Sequence, residues 1–253
     1  MMADVPVALQ LYTVREDAAR DFVGTLEQVA GIGYAGVELA GYGPLTPAEL
    51  RAKLDALGLT VAGSHVALTR LENELDAVIA ECRTLQCSTV VCPVLPAERR
   101  TPDGFRVLAT SLNAIGSAVK AGGLSLCYHN HAFEFETEID GMAAYDWLMA
   151  NTDPTLVQIE IDAFWLQKAG RDPATYIEKY NGRVPLVHLK DMTNDAEQTF
   201  APVGTGSVDF APIFAAAEQG GVQWYIVEQD RAEGSAIEAA RTSWNNLRAM
   251  GKI

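Results

Sequence analysis

Histidine and cysteine are scarce in this chain, with four of each among 253 residues. The cysteines, Cys82, Cys87, Cys92 and Cys127, show no C-x-x-C spacing. That excludes the usual structural zinc and dithiol redox motifs. Three of them lie in or beside apolar segments, where they read as small reduced core residues of a cytoplasmic protein. Basic residues are also short: 19 Lys and Arg face 33 Asp and Glu, giving a net charge of −14 and a pI of about 4.6. Such a surface aids solubility and repels phosphate backbones, which argues against nucleic acid as a partner. No apolar run reaches the roughly 18 residues of a membrane span. The start, MMADVPVALQLY, has neither the basic n-region nor the apolar h-region of a signal peptide. The segment QLYTVRED, after the first strand-like run, contains no glycine. That excludes the Gly-rich phosphate turn of a dinucleotide-binding sheet.

What the chain does contain is a strict alternation. Apolar strand-like runs are VALQLYTV, AGVELAG, LTVAGSHV, STVVCPVL, LSLCYHNH, LVQIEID, VPLVHLKDM and QWYIVEQD. Between them lie segments of helical spacing at 21–32, 47–58, 71–85, 101–122, 139–151, from Asp172-Pro173 onward, 209–220 and 235–250. Thr46, Pro47 and Glu49 spell a capping box with proline at the first helical position. Eight βα units imply parallel strands, right-handed crossovers and closure into a (β/α)8 TIM barrel. The length suits one such barrel, and no composition break divides residues 1–253. A single α/β domain is therefore expected.

The few histidines are not scattered. His65, His129, His131 and His188 each sit at or just past the end of a strand-like run, and two further runs end at Asp162 and Glu228. The C-terminal strand ends of a barrel converge on one mouth. Asp162, His188 and Glu228 are separated by 26 and 40 residues, so they fall on strands six, seven and eight. A carboxylate, an imidazole and a carboxylate on adjacent strands suit one divalent ion, Mn, Mg, Co or Zn. Lys190 follows His188 at period two and shares its face, where it can hold a substrate oxygen. Glu38, His65 and Trp165 are further candidates to meet a polyol, and Gln10 and Tyr12 stand at the end of strand one. Gly204-Thr205-Gly206 has the look of a phosphate-binding turn, although a plain loop is the simpler reading.

The segments GYAGVEL, YHNHAFEFE, IEIDAFW, VHLKDM, VGTGSVDF and IVEQD resemble the xylose-isomerase-like TIM-barrel superfamily, in particular its sugar phosphate isomerase/epimerase group. The resemblance covers nearly the whole chain. It implies one divalent metal held by Glu, Asp, His and Glu from strands five to eight. Asp162, His188 and Glu228 match the last three. Strand five departs from the pattern, reading Tyr128-His129-Asn130-His131, with the nearest acid at Glu134. Either His129 replaces the carboxylate or a turn brings Glu134 inward. Charge balance against a dication favours Glu134, which leaves His129 and His131 to face substrate.

The resemblance implies a small carbohydrate substrate and is compatible with a homodimer. The expected chemistry is isomerisation or epimerisation of a keto sugar, sugar phosphate or cyclitol through an enediolate. Glu228 or Glu134 would move the proton, and Lys190 would hold the developing charge. Dehydration on the same metal site and a non-catalytic sugar-binding barrel are the alternatives.

Overall fold

The computed structural model describes residues 5–253; Met1 to Asp4, at the start of the segment read for a targeting signal, lie outside the described residues. Eight parallel strands close into a barrel in the order β1-β8-β7-β6-β5-β4-β3-β2. They are β1 (Val7–Gln10), β2 (Gly36–Leu39), β3 (Thr60–His65), β4 (Thr89–Cys92), β5 (Ser125–His129), β6 (Val157–Asp162), β7 (Leu186–Leu189) and β8 (Trp224–Val227). Helices between the strands form the outer ring, as a parallel barrel requires. No described helix is long and apolar enough to cross a membrane.

The helix signals act where the sequence places them. Thr46 and Glu49 close the expected capping box, with Pro47 at the start and Gly58 in left-handed conformation (φ 69°) at the end of Pro47–Leu57. Thr101, Asp172 and Ser235 accept from backbone N–H groups at the starts of Pro102–Ala121, Pro173–Lys179 and Ala236–Ala249. These side chains satisfy donors that the helix cannot pair itself.

Differences lie in the connections. The first strand is expected to run through Val14, but it stops at Gln10 and continues as a 3-10 turn, Leu11–Val14, and a short helix, Arg15–Arg20. The third helical segment is broken into Leu68–Asn73 and Leu75–Thr84. The fifth begins as a small hairpin, Glu138–Ile139 with Met142–Ala143, before the helix Ala144–Ala150. After β7 the chain makes a second hairpin, Asp191–Met192 with Phe200–Ala201. Periodicity over a window of about 11–18 residues is too coarse to resolve such two-residue strands and single turns.

Two apolar regions support this frame. The larger lies between the sheet and the helices. The smaller is a plug inside the barrel made by Ala8, Ala62, Val91, Cys127, Leu186 and Ile226. One pleat further along several of these strands stand Gln10, His129, His188 and Glu228, so alternation places a polar layer above the plug. The four cysteines are buried free thiols.

The plug is small and fully buried, so it sets the height of the polar layer. Ala8→Leu is expected to overpack it, destabilising by about 1–3 kcal/mol. The thermal midpoint should fall by about 2–4 °C per kcal/mol in a chain of this size. An unchanged midpoint in a thermal melt would show that the lumen has room to spare at this level.

Candidate active site at the C-terminal strand ends

Side chains from strands that are not neighbours in the sheet meet inside the lumen. Glu38 of β2 and His188 of β7 are separated in the sheet by β1 and β8, yet Glu38 Oε2 and His188 Nε2 are 2.7 Å apart. Glu38 Oε2 also accepts from Gln10 Nε2 at 2.7 Å and lies 3.1 Å from His65 Nε2. Glu160 Oε2 lies 2.7 Å from His129 Nδ1, 2.8 Å from His65 Nε2 and 3.3 Å from His188 Nε2. Both carboxylates are fully buried. Glu38 fits because residue 63 is glycine, where a Cβ would come within 2.5 Å of Glu38 Oε1.

Above this deep layer is a second one, nearer the mouth. His188 Nδ1 is 3.0 Å from Glu228 Oε2, and His129 Nε2 is 3.6 Å from Asp162 Oδ2. Lys190, 1% exposed, places Nζ 2.7 Å from Glu228 Oε2, 3.0 Å from Asp162 Oδ2 and 2.9 Å from Asp230 Oδ1. Asp162 is held from three directions. Its N–H donates to Asn130 Oδ1 at 2.9 Å, and its carbonyl accepts from Asn130 Nδ2 at 3.4 Å. Its Oδ1 caps the helix Ala163–Lys168 by accepting from Trp165 N at 2.9 Å. Asp162 Oδ2 is buried with no well-formed hydrogen bond, an acceptor aimed into the cluster.

Burial and charge compete at every one of these groups. Burial would lower the His188 pKa, but Glu160 and Glu38 hold it well above the usual value. Burial likewise opposes protonated His65, yet the same two carboxylates raise it to about 10. Burial would raise Glu160 and Glu228. His188 and His65 pull Glu160 well below the ordinary range, and Lys190 with His188 does the same for Glu228. Asp230 is raised, because burial there outweighs the Lys190 ammonium. His131 is pushed well down by burial, with His129 and Lys190 adding to the effect, so its ring is neutral.

The two layers offer two overlapping sets of ligand atoms: His65, His129, Glu160 and His188 below, and His129, Asp162, His188 and Glu228 above. Within each set the ligand atoms lie within 4.8 Å of one another. The upper set is all buried and borders a cavity of about 430 Å³ lined by His65, His129, His131, Lys190, Glu228 and Asp230, with Tyr12 at the rim. A mixed N/O set whose Asp162 Oδ2 faces the Lys190 ammonium and lacks a well-formed hydrogen bond fits one divalent ion.

The expected site residues divide accordingly. Asp162, His188, Glu228, Lys190, His129 and His65 come together, and His131 lines the cavity. Glu134 does not join them. Its fully buried carboxylate accepts from Tyr128 Oη and from His131 N, both at 2.9 Å, and it belongs to neither ligand set. The turn after β5 folds Glu134 back against its own strand, so His129 is the strand-five group beside Asp162. Glu38 is not among the cavity-lining residues, and its Oε2 contacts His188, His65 and Gln10. Trp165 packs behind His131, ring centroids 5.3 Å apart, and is not part of the cavity lining.

Gly204-Thr205-Gly206 does form an anion cradle, but the chain fills it itself. Asp191 accepts from Gly204 N, Gly206 N, Val208 N and Met192 N at 2.7–3.0 Å. Reasoning from the sequence overlooked Glu160, Asn130 and Asp230. Glu160 precedes Asp162 at period two, so the rule that paired His188 with Lys190 also finds it.

A family model described as xylose isomerase-like TIM barrel matches residues 26–250. The chain belongs to this family. Among its relatives is an inosose dehydratase of Lacticaseibacillus casei, 27% identical over 272 residues, covering 92% of this chain and 90% of that one. A solved sugar phosphate isomerase/epimerase from Parabacteroides distasonis superposes with a TM-score of 0.85 at 24% identity, covering 100% of this chain and 96% of that one. The protein IolI, solved with a zinc atom, gives a TM-score of 0.76 at 16% identity over 98% of both chains. These two structural likenesses speak to the fold.

Glu134 carries a pH prediction. Burial raises its carboxyl to about 7 from the ordinary 4.5. A raised folded-state value favours the fold fully at pH below the unfolded pKa and loses that contribution as pH rises through the folded one. Wild type should therefore lose stability relative to Glu134→Gln between about pH 5 and pH 8, a window set by the two pKa values. Urea denaturation of both proteins at each pH checks this; a difference independent of pH would contradict it.

Proposed function

We propose that this protein is a divalent-metal-assisted dehydratase acting on a keto cyclitol or related keto sugar. The observation that carries this reading is the one-sidedness of the acids. The carboxylates reaching the mouth, Asp162, Glu228 and Asp230, come from β6, β8 and the turn after β8, grouped around Lys190. The strand-five acid that could work the opposite face of a substrate, Glu134, is tied to Tyr128 and His131. Epimerisation needs proton transfer on both faces of a carbon, whereas loss of water can proceed from one. The name of the Lacticaseibacillus casei relative points the same way. Isomerisation or epimerisation, the first expectation from the sequence, becomes the second reading, supported by the likeness to the Parabacteroides protein.

His129, Asp162, His188 and Glu228 would hold the ion. An ion held there would supply Lewis-acid polarisation of a ketone and so acidify the adjoining C–H. Glu228, fixed at the cavity wall by His188 and Lys190, takes that proton. Lys190 donates a proton to the departing hydroxyl and regains one from Glu228, whose Oε2 is 2.7 Å from Nζ. Neutral His131 and the rim residue Tyr12 shape the cavity around the polyol. Burial excludes bulk water from the proton path, and at low dielectric each of these charges acts more strongly.

The test begins with metal content. Wild type reconstituted with Mn, Co or Zn should hold one ion per chain, and Asp162→Asn and Glu228→Gln should lose most of it. Loaded enzyme incubated with inososes and keto sugars should release water, with the dehydrated product seen by mass spectrometry. Lys190→Met should keep the metal and lower turnover by about 100-fold or more, the scale of a lost general acid. A product of unchanged mass with solvent deuterium at carbon would establish the isomerase reading. Tight metal with no proton exchange on any member of the panel would leave a binding barrel.

A further inference from the structure

The two shared histidines approach the upper cluster in opposite senses. His129 turns Nδ1 down to Glu160 and Nε2 up to Asp162. His188 turns Nε2 down to Glu38 and Glu160, and Nδ1 up to Glu228. A neutral imidazole carries one proton, and the nitrogen without it is the one that can ligate.

Resting on the metal reading of the mouth, we propose that Glu160 and Glu38 are positioning residues that select these tautomers. Glu160 accepts the Nδ1–H of His129 and leaves Nε2 to the ion. Glu38 accepts the Nε2–H of His188 and leaves Nδ1. Both carboxylates are wholly buried, and Oε1 of each has no hydrogen-bond partner. Their polar contacts run through Oε2, to the imidazoles and, for Glu38, to Gln10 as well. His65 Nε2 shares both Oε2 atoms, at 3.1 Å from Glu38 and 2.8 Å from Glu160, so their charge is divided among three imidazoles, of which His129 and His188 reach the upper cluster. A carboxylate behind a ligating imidazole fixes its orientation and raises its basicity.

This also accounts for strand five. Where that strand brings no acid directly to the ion, Glu160 supplies negative charge one layer down, passed on through His129. The carboxylate is present, but it comes from β6 and acts at one remove. A purely structural role would ask only that Glu38 and Glu160 fill space and accept hydrogen bonds. The tautomer role demands opposite protonation at two named rings.

The experiment uses the full chain, labelled with ¹⁵N at histidine, with zinc alone as the probe. Long-range ¹H–¹⁵N correlation spectra of the zinc-loaded wild type should show His129 protonated at Nδ1 and metallated at Nε2, and His188 the reverse. Chelator competition should show zinc affinity falling by about 10- to 100-fold in Glu160→Gln and in Glu38→Gln, the scale for losing such a partner. Circular dichroism identifies any variant that fails to fold, and the wild-type spectra then decide alone. Zinc bound through Asp162 and Glu228 with either ring in the other tautomer would overturn the proposal and leave the metal reading standing. So would unchanged affinity in both folded variants. Wild type that takes up no zinc, or whose zinc is indifferent to Asp162→Asn, would overturn both.

Discussion

Everything at the mouth depends on one constraint: five carboxylates, Glu38, Glu160, Asp162, Glu228 and Asp230, crowd into one end of a barrel, the first four of them buried. An uncompensated buried charge costs on the order of several kcal/mol. The chain answers with Lys190 among three of the acids and with imidazoles between the others. Such a network gives little net stability, since desolvation offsets attraction. What it does give is position, because Oε2 of Glu38, Glu160 and Glu228 and both ring nitrogens of His188 each face fixed partners. It also gathers acceptors in the way that suits a dication, with Asp162 Oδ2 lacking a well-formed hydrogen bond.

The barrel makes this crowding possible. A closed parallel sheet has no edge, and its alternating residues point either to the helices or into the lumen. Small residues near the bottom, Ala8 and Ala62 among them, complete an apolar plug that supports the polar layer. Glycine at 63 leaves the space that Glu38 occupies. Asn130 continues the hydrogen bonding beside β6 after the β5–β6 ladder has ended, and so fixes the backbone from which Asp162 projects. Asp191 does the same for the loop after the second hairpin by occupying an anion cradle with its own carboxylate. In each case a polar side chain stands in for a missing strand or a missing ligand.

The architecture was legible because it rests on local, periodic signals. Eight apolar runs, eight helical spacings and well-placed caps specify a (β/α)8 order whatever the contacts, since each βα unit obeys the same handedness. Asp162, His188, Lys190 and Glu228 were legible for a related reason. Strand ends of a barrel must converge, so position along the strand is enough to bring them together. Tyr128-His129-Asn130-His131 was not, because the next residues leave the strand, and the path of a turn is not encoded in a period of two.

The sequence by itself therefore determined the fold, the end of the barrel where the ionisable groups collect, and most of the groups gathered there. Only the tertiary structure decided depth and direction. It buried Glu38 below the mouth, bent Glu134 back onto Tyr128, and set Glu160 behind His129. The reason is physical. Periodicity tells which face a residue is on, but the level at which a buried charge comes to rest depends on the opposing charges that meet it from strands distant in the chain.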